Sequence, residues 1–251
     1  MPKKKKHGKF IMLDGIDGSG KGTIVKMFKR FLLCHGHSVF SVDDFCKKHH
    51  DFPEAGDFRK AEVIFTSEPT YSMIGQAIRG EIIKDNNRHY SALTAAEAFA
   101  LDRKILYKRI VIPALLAGKS VIQERGISTS LVYQPIQKEK LSLNKIMNLR
   151  GNKLALRYAP DLLIIAEVSP SVALMRTKNR AKKDEAIFEK AAFLSKAARR
   201  FKAPWFRNIF ENRGTDVVYL NTEKAPRVTQ QEAIKIIENF FLVINNKWNT
   251  K

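Results

Sequence analysis

Short apolar runs alternate with helical periodicities along the chain. Six runs are apolar enough to be buried strands: "KFIMLD", "HSVFSVDDF", "AEVIFTSEP", "GKSVIQER", "PDLLIIAEV" and "TDVVYLN". Between them, apolar residues recur at helical spacing, most clearly over 21–33, 72–84, 92–117 and 227–244. Because apolar strands separated by helices form parallel sheets covered on both faces, the pattern predicts a three-layer α/β fold.

Two helices carry more specific expectations. The first is expected to bury Val25, Phe28, Leu32 and Leu33 on one stripe. The third of the four helical stretches contains Pro113, which has no backbone N–H and is expected to kink that helix near its end.

The chain shows no repeats and no linker rich in Pro, Gly or Ser, so its 251 residues predict a single domain over 9–247. A basic flexible tail is expected over 1–8. A polar stretch at about 43–60 contains Pro and Gly and predicts a loop insertion. A strongly basic helical stretch predicts a mobile lid over about 176–190.

Composition narrows the class of protein. No apolar stretch approaches the ~20 residues that cross a bilayer, and no secretory signal precedes the first strand, so we expect a cytoplasmic protein without a membrane partner. Cys34 and Cys46 are expected to be free thiols. The net charge of +20 predicts a polyanionic partner, such as nucleic acid, a membrane surface or phosphorylated small molecules.

The segment "GIDGSGKGT" at 15–23 follows the first predicted strand and opens the first predicted helix. It matches the phosphate-binding pattern G-x-x-x-x-G-K, in which backbone N–H groups and a lysine hold phosphates. The hydroxyl residue expected after the lysine is replaced by glycine, and a threonine follows one position later. The predicted phosphate-binding residues are Gly15, Gly18, Ser19, Gly20, Lys21, Gly22 and Thr23.

Further motifs resemble the thymidylate kinase family, in family order over about 8–225. They are "FIMLDGIDGSGKGT", "TSEPTYSMIGQAIRGEI", "AEAFALDRK", "VIQERGISTSLVYQ" and "YAPDLLIIAEVSPSVALMRTKNR". The resemblance implies a P-loop nucleoside monophosphate kinase that phosphorylates dTMP to dTDP with ATP and Mg²⁺. It also implies a homodimer and no required nucleic acid.

The resemblance implies an acceptor site for dTMP. Phe99 would stack on the thymine ring, Arg103 would hydrogen-bond its edge, and Arg125 would bind the phosphate with Arg79 nearby. The remaining residues that match acceptor positions are Asp17, Glu68, Pro69, Ser130, Tyr133 and Gln134. The residues alone leave other roles open: Phe99 in the core, Arg103 paired with Asp102 or Glu97, and Arg125 paired with Glu124.

The resemblance also implies residues for ATP and metal. Asn221 and Thr222 match the adenine region, and Asp17 and Glu124 would hold Mg²⁺ through water. Family members with a basic residue in the loop carry it at the position of Gly18, so this chain is expected to draw transition-state charge from lid arginines. The lid arginines are Arg176 and Arg180. Catalytic roles are expected for Lys21, Asp17, Arg125 and Arg180.

Three departures from the family pattern concern the acceptor. Glu124 stands where an aspartate is usual, Gly126 replaces a ring residue, and Ser67 replaces a frequent arginine. A deoxynucleoside kinase with Glu68 or Glu124 as base, or another nucleoside monophosphate kinase, therefore remains an alternative. A more remote alternative is a basic nucleic-acid-binding ATPase.

Overall fold

A computed structural model describes residues 8–84, 87–178 and 191–245, with side chains described as far as residue 240. Its strands are β1 (Phe10–Asp14), β2 (Val39–Ser41), β3 (Val63–Ser67), β4 (Ser120–Glu124), β5 (Leu162–Glu167) and β6 (Asp216–Asn221). Its helices are α1 (Lys21–Cys34), α2 (Val42–His49), α3 (Met73–Ala77), α4 (Ala92–Leu106), α5 (Ile112–Leu116), α6 (Ile127–Tyr133), α7 (Leu143–Asn148), α8 (Arg150–Arg157), α9 (Pro170–Lys178), α10 (Ala191–Phe201), α11 (Pro204–Glu211) and α12 (Pro226–Asn245). Residues 1–7 of the predicted tail and most of the predicted lid lie outside the described residues, whereas Gly8 is buried and its N–H donates to the Leu115 carbonyl oxygen at 2.8 Å.

The described strands form one parallel sheet in the order β2-β3-β4-β1-β5-β6. This confirms the predicted α/β fold. The central strand β1 pairs on both sides, with Phe10 opposite Val121 and Ile11 opposite Leu162. Because all strands run the same way, their carboxyl ends share one edge, where such sheets bind ligands.

Helices cover both faces of the sheet. Alternate side chains of β1 point to opposite faces: Met12 packs in one apolar cluster, and Leu13 packs in the other together with Phe28 of α1 and Ile237 of α12. The side chains of β1 have no exposed surface. A strand buried on both faces explains the unbroken apolar run in the sequence.

The first helix differs from its prediction at one position. Ile24, Phe28 and Leu32 are buried, Val25 is partly buried, and Leu33 is 52% exposed. The buried residues are four apart, so Leu33 lies about 100° around the helix from Leu32. The prediction that Leu33 is buried was wrong.

The predicted loop at 43–60 begins instead with the helix α2, and the neighbouring strand β2 has only three residues. Ser41 caps α2 by accepting a hydrogen bond from the Asp44 backbone N–H at 3.3 Å. Acidic residues occupy the first turn of α2 and basic residues the last, and both interact favourably with the helix dipole. Val42 and Cys46, four residues apart, anchor α2 in the core. The loop interpretation was therefore wrong for this part of the segment.

The long helical stretch over 92–117 is interrupted shortly before Pro113. A wide π turn, Tyr107–Val111, joins α4 to α5. Pro113 lacks the N–H that would bond to the Arg109 carbonyl in a regular helix, which gives the interruption a physical cause. No helix within the described ranges is long and apolar enough to cross a membrane.

Candidate active site

The loop between β1 and α1 has the backbone that its glycines allow. Gly15, Gly18 and Gly20 have φ angles of 143°, 80° and 86°. A Cβ atom on Gly18 would lie 2.3 Å from the Ala173 carbonyl oxygen in α9. The loop is therefore pressed against the first turn of α9, and position 18 has no room for a side chain in this packing.

Lys21 lies over this loop. Its Nζ donates to the carbonyl oxygens of Ile16 at 2.7 Å and Gly15 at 3.0 Å, and to the Ser19 hydroxyl at 3.3 Å. Burial, followed by repulsion from Arg125, lowers the pKa of Lys21 to about 8. A buried ammonium beside backbone N–H groups at a helix start suits the phosphates of a nucleotide.

The position after the lysine faces a carboxylate. A Cβ atom on Gly22 would lie 3.6 Å from Glu124 Oε2, which is an ordinary contact distance. Thr23, one residue later, is exposed on α1. The shift of the hydroxyl by one residue therefore leaves space between the helix start and Glu124.

Asp14 at the end of β1 was missed by the sequence analysis. Its buried carboxylate accepts from the Gly15 backbone N–H at 2.8 Å and from the hydroxyls of Ser128 and Thr129. These bonds join the phosphate loop to α6. A carboxylate that ends a fully apolar strand just before the loop was the available signal.

Asp17 connects the phosphate loop to Arg125, the residue that follows β4. Its carboxylate forms an ion pair with the Arg125 guanidinium and accepts the Tyr133 hydroxyl at 3.1 Å. Arg125 has a left-handed backbone with φ 62°, an uncommon conformation for a non-glycine residue that is often found at functional sites. Arg125 thus pairs with Asp17 and not with Glu124, contrary to the alternative considered from sequence.

A second group of polar side chains, the acceptor cluster, consists of Glu68, Arg103, Gln123, Ser130, Gln134 and Asn152. Arg103, 1% exposed, donates to both carboxylate oxygens of Glu68, at 2.6 and 3.2 Å. It also bonds Asn152 and the Ser130 hydroxyl, so the pairing with Asp102 or Glu97 is wrong.

The electrostatics of the acceptor cluster depend on this pair. Burial raises the pKa of Glu68 to about 7, against the opposing attraction of Arg103. The sequence analysis named four members of the cluster but missed Gln123, which donates to Glu68 at 3.0 Å, and Asn152. Nothing local in the sequence marks these two, because both come from distant segments.

The remaining residues predicted from the sequence lie on the two sides of the phosphate loop. On the acceptor side, Phe99 is partly exposed on α4, and Arg79 donates to the carbonyl oxygens of Pro69 and Thr70. The Glu68–Pro69 peptide bond is cis.

On the opposite side of the phosphate loop, Arg176 donates to the Thr222 carbonyl oxygen at 2.8 Å. Asn221 is exposed beside it and accepts the Glu223 backbone N–H. Thr222 is buried and bonds Glu167. Arg180 lies outside the described residues.

The carboxylates near the phosphate loop suit magnesium better than a metal whose ligands all come from protein side chains. No group of three or more metal-ligating side chains occurs in the described part of the chain. Mg²⁺ usually keeps several waters and takes only one or two carboxylates together with substrate phosphates. Glu124, facing the helix start beside Lys21, fits that requirement.

Comparison with known proteins identifies the family. Residues 56–232 match the family model described as thymidylate kinase. The thymidylate kinase of Prochlorococcus marinus (strain MIT 9312) is 31% identical over 198 residues, covering 78% of this chain and 82% of the relative. The probable thymidylate kinase of Archaeoglobus fulgidus is 28% identical, and its alignment covers 94% of this chain and 98% of the relative, so it reaches Lys21.

A solved structure supports the fold. The crystal structure of thymidylate kinase from Ehrlichia chaffeensis superposes with a TM-score of 0.58 at 19% identity, covering 92% of this chain and 98% of the other. A parallel sheet with a phosphate loop after its central strand and cationic side chains along the same edge is the arrangement of P-loop nucleotide-binding proteins. The match of residues 56–232 to the family model identifies the protein more specifically than the fold does. The chain belongs to the thymidylate kinase family.

Proposed function

We propose that this chain transfers the γ-phosphoryl group of ATP to dTMP, giving dTDP, with the predicted residues in the roles described below. The observation that carries this assignment is the contact of Asp17 with both Arg125 and Tyr133. Asp17 belongs to the phosphate loop, whereas Arg125 and Tyr133 belong to the acceptor side. One residue therefore joins the two substrate sites at the place where the phosphates would meet.

The proposed mechanism needs no strong general base, because the acceptor is a phosphate already ionised at neutral pH. Lys21 and Arg125 neutralise charge on the migrating group and hold donor and acceptor in line. Glu124 and Asp17 would hold Mg²⁺ by way of water, and the ion would supply positive charge for the ATP phosphates. Asp17 orients Arg125, and Arg176 and Arg180 supply charge from the donor side.

Recognition of the acceptor falls to the cluster around Arg103. Of its five N–H donors, four bind Glu68, Ser130 and Asn152, which fixes the guanidinium. We propose that Phe99 stacks on thymine, that Arg103 and Gln134 read its edge, and that Tyr133 crowds a ribose 2′-hydroxyl. The proposal includes a homodimer and a cytoplasmic location.

The environment of Glu68 disfavours the alternative of a deoxynucleoside kinase that uses this residue as its base. Glu68, one of its two candidate bases, is held by Arg103 on both oxygens and lies 3% exposed. A carboxylate in that environment would need to lose its ion pair before it accepted a proton from a sugar hydroxyl.

A coupled assay with ATP, Mg²⁺ and a panel of acceptors tests the proposal. We expect turnover of dTMP well above that of UMP, CMP, AMP and GMP, and none of thymidine. Tyr133→Phe serves as a matched variant, since it keeps the ring but loses the bond to Asp17. Thymidine phosphorylation without dTMP phosphorylation would replace the proposal with the deoxynucleoside kinase. ATP hydrolysis stimulated by DNA, without a nucleotide product, would favour the nucleic-acid-binding ATPase.

A further inference from the structure

An open cleft of about 350 Å³ lies between the end of α2 and α3. Its basic lining comes from two parts of the chain: Lys47 and His50 from α2 and the residue after it, and Arg79 and Lys84 from the turns after α3. Since α2 lies in the segment predicted as an insertion, half of this lining comes from an element that the catalytic proposal does not use.

The Tyr71 ring in the cleft is contacted by two cationic side chains. Lys47 Nζ and Arg79 Cζ each lie 3.9 Å from the centroid of the Tyr71 ring. Each cation is attracted to the ring by a cation–π interaction, so both side chains are held against Tyr71. Tyr71 is therefore already engaged by two cations, and the lining of the cleft presents mainly positive charge.

The cationic groups face the cleft without acidic partners in its lining. Lys47 and Lys84 are exposed, and neither forms an ion pair with a described residue. Arg79 is fixed by its bonds to the Pro69 and Thr70 carbonyl oxygens. Two carboxylates outside the lining interact electrostatically with these groups: the partly buried Asp43, which accepts the Ser67 backbone N–H at 3.1 Å, and the buried Asp102.

We propose that this cleft binds a compact polyphosphate, either inorganic or the phosphate tail of a nucleoside triphosphate. Several cations around a small open volume match a chain of phosphates. Arg79 lines the cleft and is also the proposed neighbour of the acceptor phosphate. Occupancy of the cleft should therefore raise the KM for dTMP, a consequence that rests on the proposed function.

Binding is tested by calorimetry with tripolyphosphate in magnesium-free buffer at low salt. The full chain carrying Lys21→Ala is the background, because it removes the main phosphate contact of the loop. Adding Lys47→Ala and Lys84→Ala should raise the Kd about tenfold or more, since each charge-assisted contact contributes substantially. Adding Lys153→Ala and Lys196→Ala, two exposed lysines on α8 and α10 with the same total charge change, should raise it less than about threefold.

Equal weakening in the two pairs of variants would show only general attraction to a basic protein and would overturn the site. Equal affinity for tripolyphosphate and dTTP identifies an inorganic ligand, and tighter binding of dTTP that still depends on Lys47 and Lys84 identifies a nucleotide tail. Thymidine binding that depends on the same lysines would contradict the assignment to phosphate.

Kinetics separate this proposal from the catalytic one. With free Mg²⁺ held constant, tripolyphosphate should raise the KM for dTMP in the unmodified chain more than in the Lys47→Ala, Lys84→Ala variant. A chain without dTMP kinase activity would refute the proposed function and leave the calorimetric result to decide the cleft. Normal dTMP kinase activity with no lysine-dependent binding would refute the cleft alone.

Discussion

The phosphate loop and the acceptor cluster are built by different means, although the proposed function joins them in one site. The loop depends on backbone: glycines in unusual conformations, and carbonyl oxygens that receive Lys21. The acceptor cluster depends on side chains, with the buried Glu68–Arg103 pair at its centre. The first is contiguous in the sequence, and the second is gathered from five separate segments.

This difference determines how each half tolerates change. A site made of backbone N–H groups keeps its function when a side chain shifts, as with the hydroxyl that moves from position 22 to 23. A buried ion pair has no such freedom, because removal of one partner leaves an uncompensated charge in the core. The comparison can be tested by variants that separate stability from turnover.

The largest effect is expected in the acceptor cluster. Arg103→Met should lower the free energy of unfolding by about 3–5 kcal/mol, since it strands the Glu68 carboxylate. Chemical denaturation measures this loss. Combining it with Glu68→Leu should restore much of the stability but not the affinity for dTMP. A loss below about 1 kcal/mol for Arg103→Met would contradict the importance of the pair.

Lys21→Ala should lower turnover strongly and leave the free energy of unfolding nearly unchanged. Losing a charge that neutralises the transferred group removes about 3–4 kcal/mol of barrier stabilisation, or two to three orders of magnitude in turnover. Its free energy of unfolding should change little, because Lys21 is buried at a desolvation cost. Steady-state kinetics measure the turnover, and chemical denaturation measures the free energy of unfolding. Near-normal turnover would contradict the proposed role of Lys21 in phosphoryl transfer.

Two glycines in the loop form a matched pair. Gly18→Ala places a Cβ 2.3 Å from the Ala173 carbonyl oxygen at a φ of +80°, and should cost about 1–3 kcal/mol. Gly22→Ala meets only Glu124 at 3.6 Å and should change stability by less than about 1 kcal/mol. Thermal unfolding compares the two, and equal losses would show that the loop is not packed against α9.

The smallest effect is a pH dependence of ATP use. Because the pKa of Lys21 is lowered to about 8, the free enzyme loses this charge above pH 8, and kcat/KM for ATP should fall about tenfold per pH unit. Bound phosphates favour the charged form, so kcat at saturating ATP should fall less.

Unfolding does not explain that decline. The unfolded chain keeps the Lys21 proton up to its ordinary pKa near 10.5, so between pH 8 and 10.5 this group adds stability as the pH rises. A pH profile of kcat/KM that stays flat to pH 10 would argue against a buried ammonium in the free enzyme.

The sequence predicted the sheet, its helices and the phosphate loop because each depends on local patterns. It did not predict α2, since Pro53 and Gly56 directed attention to a loop and only Val42 and Cys46 mark the buried face. Asn152 and Gln123 were also missed, because their roles arise only when α8 and β4 meet Arg103 and Glu68. The family resemblance supplied Ser130 and Gln134, which the residues alone would not have marked. The site roles and the domain limits of 9–247 stay predictions.

The close approach of Gly18 to α9 has a consequence for how this enzyme can evolve. A cationic side chain introduced at residue 18 would have to displace the helix that carries Arg176 at its other end. Moving positive charge into the loop would therefore disturb the helix that carries Arg176, which we propose supplies this charge. A cationic side chain at residue 18 and the present packing of α9 against Gly18 therefore exclude each other, and a single substitution cannot convert one arrangement into the other.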